Sequence, residues 1–235
     1  MTGDDYTAIY DPDTDFDRHY TDATAVRVSA KLGPGQRVLE LGCATGRMTQ
    51  ALARDGREVV AVDRSPAYLT RAQARGLPAT HFIQADLGAL DLGDDPRFDH
   101  VIAANVLHEL DDPVALLRTV RERHLANGGL VHVSLQNPDS IHRLAAAAGG
   151  LVGDASEVSD AGRRYATRRL YSADELVALG ASAGLACVSR EGVMLKPLPN
   201  DTMATLPEDL VSGFVAIADL FPSNCAMNLL TFRHA

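Results

Sequence analysis

Cysteine is scarce in this chain. Cys43, Cys187 and Cys225 are odd in number and show no C-x-x-C spacing, so neither a disulfide framework nor a zinc site is implied, and a reducing cytosol fits. No apolar run approaches the roughly 20 residues of a membrane span. The N-terminus carries Asp4, Asp5, Asp11, Asp13, Asp15 and Asp17 in place of a basic region and an apolar core; the sequence therefore predicts no signal peptide and a cytoplasmic location. Basic charge is in deficit, with 22 Lys and Arg against 31 Asp and Glu and a formal net charge of −9. That balance weighs against nucleic acid or an anionic membrane as the main partner. No His/carboxylate set stands at ligand spacing, and Asp111-Asp112 reads as a helix cap rather than a metal site. Internal repeats and low-complexity segments are also missing. With 46% hydrophobic and 23% charged residues over 235 positions, the chain is long enough for one domain with a sizeable core.

The stretch Arg37 to Met48 reads RVLELGCATGRM. Val38, Leu39 and Leu41 form the apolar run of a strand buried on both faces of a parallel sheet. Gly42, Ala44 and Gly46 follow at alternate positions, and helical spacing (Met48, Ala51, Leu52) comes after them. A strand, a turn of small residues and a helix let a ligand lie against backbone at the carboxyl end of the strand. The dinucleotide fingerprint G-x-G-x-x-G would need glycine at 42, 44 and 47, where Ala44 and Arg47 break it, and the closing Gly-Lys-Ser/Thr of a phosphate-binding loop is absent.

Further units follow. A second strand, Glu58 to Val62, ends at Asp63, and Ser65 with Pro66 opens a helix. The two oxygens of an Asp63 carboxylate suit the two hydroxyls of a ribose, although dinucleotide enzymes use the same device and a solvated aspartate capping the turn is the plainer reading. A third strand, His81 to Gln84, leads to Asp86 and Leu87. A fourth, His100 to Ala104, leads to Asn105 and His108. Asp112 and Pro113 start a helix with Val114, Leu117 and Val120 on one face, and Asn127-Gly128-Gly129 precedes a fifth strand ending at Leu135. The β-α alternation predicts a parallel sheet wound on both faces, with a crevice where Gly42, Asp63, Asp86 and Asn105 converge.

The acidic Glu40 followed by Gly42-Cys43-Ala44-Thr45-Gly46 resembles motif I of the class I S-adenosylmethionine-dependent methyltransferases, E/D-x-G-x-G-x-G, with Ala44 in place of the middle glycine. The resemblance runs motif by motif from about Val38 to Leu135. It implies an α/β, Rossmann-like, doubly wound seven-stranded sheet, mostly parallel with an antiparallel last strand, plus a helical cap. It also implies S-adenosyl-L-methionine as cofactor, held by Tyr20, Glu40, Gly42, Cys43, Ala44, Gly46, Asp63, Arg64, Asp86, Leu87 and Asn105. Asp86 and Leu87 would read the adenine, and N–H groups of a helix beginning near Gly46 would meet the cofactor's carboxylate. The stretch after Asn105 resembles the family's motif IV but lacks the Asn/Asp-Pro-Pro-Tyr signature of enzymes that methylate base or amide nitrogen.

The chain is expected to form one domain over residues 1–235, with an N-terminal helical lid over 1–32, including a helix from Asp22 to Leu32 and the tyrosines Tyr6, Tyr10 and Tyr20. Two insertions, 136–171 and 197–224, are expected to form a cap; the second carries a helix from Glu208 to Phe221. Packing helices are the duller reading of both. The acceptor is expected to be a small molecule, a natural product or sugar methylated on a hydroxyl. His108 and His142 are the candidate bases. Arg163, Arg164, Arg168 and Arg169 either hold an anionic substrate or form a solvated, salt-bridged face. Two alternatives stay open: a cofactor-binding protein of this fold that transfers no methyl, such as a cyclase, and a nicotinamide dehydrogenase. Self-association into a homodimer is left open as well.

Overall fold

Alternation along the leading strand decides the layering. In β1 (Arg37–Leu41), Leu39 and Leu41 enter one core, while Val38 enters the core on the opposite face. Glu40 shares the face of Val38, where the period of two along a strand puts it. The computed structural model describes residues 9–93 and 96–235; Tyr6 and the first eight residues of the expected lid lie outside the described residues.

Six further strands complete the sheet: β2 (Glu58–Asp63), β3 (Thr80–Gln84), β4 (Phe98–Ala104), β5 (Leu125–Gln136), β6 (Leu185–Val193) and β7 (Met227–His234). Their order is β3-β2-β1-β4-β5-β7-β6. Strands β1 to β5 pair in parallel, and β7 runs antiparallel to both of its neighbours. The doubly wound sheet expected from the sequence is thus present. Leu41 is in register with Val62 and with Ala103, and Asp63 with Gln84. The carboxyl ends of the four strands β1 to β4 therefore open at one level.

Helices cover both faces. Against the face of Val38 lie α1 (Arg18–Ser29), the single turn α2 (Thr49–Leu52) and α3 (Pro66–Ala74), contributing Val28, Leu52 and Leu69 to the core. Against the face of Leu39 lie α4 (Pro113–Thr119) and, later in the chain, a helix over Ala173–Ser182, contributing Leu116, Leu117, Leu176 and Leu179. Helix starts follow local chemistry. The Ser65 hydroxyl accepts the Tyr68 N–H at 3.3 Å with Pro66 in the first turn, Asp112 accepts the Ala115 N–H at 2.9 Å ahead of Pro113, and Ser172 with Glu175 makes a full capping box.

The stretch 136–171 holds α5 (Ile141–Ala148) and α6 (Asp160–Arg164); after α7 (Ala173–Ser182) and β6, the stretch 197–224 holds α8 (Asn200–Met203) and α9 (Glu208–Ala216). Two expectations are corrected. The first helix covers Arg18–Ser29 rather than Asp22 to Leu32, which brings Tyr20 within it. The helix from Glu208 stops at Ala216 and gives way to tighter turns over Ala218–Leu220 and Pro222–Asn224.

A buried polar chain crosses the far half of the sheet. Gly33 N–H donates to Gln36 Oε1, so the atom facing His100 Nε2 at 3.0 Å is an oxygen and Nε2 must carry the hydrogen. His100 Nδ1 then accepts from His132 Nε2 at 2.9 Å, and His132 Nδ1 accepts from the Thr231 hydroxyl at 3.1 Å. Every link runs one way. Among the described residues no helix is long and apolar enough to cross a membrane.

Candidate functional site

At the carboxyl ends of β1 to β4 opens a cavity of about 1100 Å³. Tyr20, Glu40, Gly42, Cys43, Ala44, Asp63, Arg64, Asp86, Leu87, Asn105, His108 and His142 all line it. Of the residues assigned to the cofactor or to base catalysis from sequence, Gly46 alone does not. A Cβ at Gly46 would stand 3.1 Å from Ala72 Cβ, and its φ is +77°, so this glycine lets α3 approach the turn from behind. The expected helix at Gly46 is corrected too. Regular helix starts at Thr49 and lasts one turn, too short to present a dipole to a ligand.

The turn after β1 is tightly held. Gly42 and Cys43 N–H both donate to Val62 O, at 2.8 and 3.0 Å. Gly42 has φ +78°, and a Cβ there would meet Val106 Cγ2 at 3.0 Å; glycine is required on both counts. Ala44 stands at φ +45°, where an L-residue is strained by roughly 1–2 kcal/mol. Asp63 compensates. Its Oδ2 accepts the Ala44 N–H at 2.8 Å and its Oδ1 accepts the Ser65 N–H at 2.8 Å. The turn-capping role of Asp63 is therefore realised, and the residue lines the cavity. Burial raises the Asp63 carboxyl above the ordinary range against those two backbone donors.

Glu40 is buried beneath the turn and accepts the Thr49 hydroxyl at 2.6 Å. Burial pushes it up to about 8, with Thr49 pulling down and Asp63 pushing up. Asp86 is exposed and caps the short turn Leu87–Ala89 through the Gly88 N–H at 2.8 Å, again leaving a second oxygen outward. Asn105 adopts φ +54°, a region asparagine tolerates.

Four buried polar atoms on the cavity wall have no partner among the described residues: Thr45 Oγ1, Asn105 Oδ1, His108 Nδ1 and His142 Nδ1. Buried polar atoms are normally satisfied, so a polar ligand or ordered water belongs beside each of them. Both histidines are weak bases here. Burial alone holds His108 at about 4; burial, then Lys196 and Arg143, hold His142 at about 3.

The four cap arginines are not brought together over the cavity. Arg163 pairs with Asp160 at 2.7 Å, Arg168 with Asp111 at 2.6 Å, and Arg169 with Glu175, which is the salt-bridged face. Arg168 reaches the cavity wall with its charge already matched. The site instead contains a cluster that sequence reasoning missed. Lys196 Nζ donates to Asn200 Oδ1 at 2.7 Å, the Tyr20 hydroxyl donates to the same oxygen at 2.7 Å, and Asn200 Nδ2 donates to Asp17 Oδ1 at 2.7 Å. Arg143 stands nearby on α5. One signal was available: Lys196 is one of two lysines in the chain and interrupts the apolar run Val193-Met194-Leu195, where a lysine is rarely buried without a reason. Among the described residues no group of three His, Cys, Asp or Glu is placed to hold a metal ion.

Comparison with known proteins adds three findings. A family model described as a methyltransferase domain matches residues 39–131. The ubiquinone biosynthesis O-methyltransferase of Xanthomonas oryzae pv. oryzae (strain PXO99A) is 34% identical over 117 residues, 47% of this chain and 47% of that protein. The chain spans about half the length of the curated relatives it matches. In fold, the chain is similar to a putative methyltransferase solved in complex with the Haloferax volcanii Trm112 activator (TM-score 0.68, 19% identity, 99% of this chain and 97% of that one). It is likewise similar to the [4+2]-cyclase SpnF (TM-score 0.63, 21% identity, 90% and 81%).

Proposed function

We propose that the chain, whose residues 39–131 match a methyltransferase domain, is a class I S-adenosylmethionine-dependent methyltransferase that methylates a hydroxyl of a small molecule, a natural product or sugar, in the cytoplasm. The observation that carries the reading is the convergence of Glu40, Asp63 and Asp86 with the Gly42 turn on one cavity. The cofactor fits these residues. The Gly42 cradle has no room for a Cβ, the acids suit a cation, and the orphaned Thr45 and Asn105 oxygens await donors. Glu40 and the turn would hold the methionine end with Tyr20, Cys43, Ala44 and Asn105 around it, Asp63 and Arg64 the ribose side, and Asp86 with Leu87 the base.

When bound, the cofactor supplies a sulfonium-activated methyl group. The protein's task is then to hold the acceptor oxygen in line and exclude water, which is worth roughly 7–11 kcal/mol when geometry is enforced. We read 136–171 and 197–224 as the cap that does this. Residues of α5 and α6 and Pro199, Asn200 and Asp201 line the cavity, and the N-terminal segment adds Tyr10 and Asp17. His108 Nδ1 accepts the hydrogen bond of the acceptor hydroxyl. Held at about 4, it is too weak to ionise an alcohol in advance. It is strong enough to take the proton once the oxygen bears positive charge late in the transfer.

Calorimetry with S-adenosylmethionine and S-adenosylhomocysteine tests the cofactor half of the reading, and S-adenosylhomocysteine release across a panel of hydroxylated acceptors tests the transfer. Binding without turnover would favour the second reading, a cyclase-like protein, which the fold shared with SpnF supports. Tight NADH binding with no affinity for either sulfur compound would overturn both.

A further inference from the structure

The cavity wall carries charge of both signs. Glu40, Asp63 and Asp86 lie at or just beyond the strand ends, whereas two cations, Lys196 just after β6 and Arg143 on α5, line the same cavity. Lys196 is only 6% exposed. One of its three hydrogens is used on Asn200, and its ammonium lies 5.6 Å from the Tyr20 ring centroid. Arg143 is anchored by backbone alone, through Nη1 to Ala155 O at 3.3 Å and Glu157 O at 3.1 Å. Among the described residues neither cation has a carboxylate in direct contact. Asp17 reaches Lys196 only through the Asn200 amide. The other titratable groups here, Tyr20 on α1 and His142 on α5, bring no negative charge: the Tyr20 hydroxyl is held protonated and His142 is held neutral.

A buried lysine and a half-buried arginine against one indirectly placed carboxylate leave positive charge on this wall, an arrangement that is costly unless a counter-charge arrives. The free guanidinium edge of Arg143 presents paired donors, and Lys196 adds a point charge; together they match a planar, singly charged group. We infer that the acceptor carries an anionic group, a carboxylate by the geometry, seated between Lys196 and Arg143, with Asn200 as the residue that positions Lys196. The inference rests on the methyl-transfer reading and narrows its substrate to hydroxylated carboxylates.

The test is calorimetric titration of the protein saturated with S-adenosylhomocysteine, using two matched pairs of probes: 3,4-dihydroxybenzoate against 3,4-dihydroxybenzamide, and 3-hydroxybutyrate against its amide. At least one carboxylate should bind about tenfold or more tightly than its amide. Lys196→Gln and Arg143→Gln should each bring that ratio to within about threefold, and Lys196→Arg should retain it, all with S-adenosylhomocysteine affinity within about twofold of the parent. A merely structural Lys196 would move melting temperature and leave the ratio alone. Equal affinity within both pairs, no binding by any probe, or a ratio retained in both glutamine variants would overturn the inference. If S-adenosylhomocysteine itself fails to bind, the methyl-transfer reading falls, while the same ratios measured without it still decide the anion site.

Discussion

Asp63 holds Ala44 in a backbone conformation that alanine would otherwise leave. The carboxylate accepts the Ala44 N–H at 2.8 Å while the residue sits at φ +45°, so one side chain at the end of β2 shapes the turn at the end of β1. In Asp63→Asn, the amide nitrogen faces one of the two backbone donors that the carboxylate now serves. A buried donor without an acceptor costs about 1–3 kcal/mol. Urea denaturation should show a loss in that range, and calorimetry should show at least about tenfold weaker S-adenosylhomocysteine binding.

Ala44→Gly and Gly42→Ala should move stability in opposite directions. Glycine at 44 removes left-handed strain, offset by greater freedom of the unfolded chain, for a net gain of up to about 1 kcal/mol. Alanine at 42 incurs the same strain and puts a methyl 3.0 Å from Val106 Cγ2, a loss of about 1–3 kcal/mol. Adding Val106→Ala should recover only the steric part. Denaturation midpoints of the three single variants and the double variant separate the two contributions.

Cofactor binding should release a proton near neutral pH. Glu40 sits at about 8 because of burial, so it is largely protonated in the free protein at pH 7. A cation placed beside it favours the ionised form. Binding enthalpies measured in phosphate and in Tris should differ in proportion to up to about one proton per site, and Glu40→Gln should abolish the difference. The same raised value means that Glu40 favours the folded free protein fully below its unfolded value and loses that contribution as pH rises through about 8.

The one-way histidine chain sets an acid limit on stability. Burial first, then His100, holds His132 at about 3, well below the unfolded value of about 6.5. Between those values the unfolded chain takes up a proton that the native state refuses. Stability is therefore intact above about pH 6.5 and falls by up to about 1.4 kcal/mol per unit below it for this group. Replacing the pair, His100→Leu with His132→Leu, should flatten the profile of melting temperature against pH between about 6 and 4 relative to the parent. An unchanged slope would place the acid sensitivity elsewhere.

Much of this architecture is legible in the chain because its signals are local. Strand ends at Asp63 and Asn105 and helix starts at Ser65-Pro66, Asp112-Pro113 and Ser172 with Glu175 depend on neighbours a few residues away, and the structure realises each helix start. Gly46 is less legible for a related reason. Its place in the motif says that a Cβ is unwelcome but not whether a ligand or α3 occupies the space, and only the 3.1 Å approach to Ala72 decides it. The cluster of Asp17, Tyr20, Lys196 and Asn200 carries one local mark, the lysine that ends an apolar run, and nothing in the chain joins it to the others. It forms because the end of β6 and the start of α1 meet on the cavity, joining residues 180 apart in sequence. The His100–His132 pair was hidden in the same way, each histidine looking like an ordinary interruption of an apolar strand until β4 and β5 were laid side by side.

The shared oxygen of Asn200 has a consequence for how such a protein can be rebuilt. It accepts from Tyr20 and from Lys196, while the same amide donates to Asp17. The opening helix and the start of α8, which carries Asn200, are thus cut to fit one another. On the proposed carboxylate-bearing acceptor, substrate preference would be a paired trait: a chimera that imports α8 from a relative would need the first helix with it, or it would inherit a pocket whose two halves do not meet.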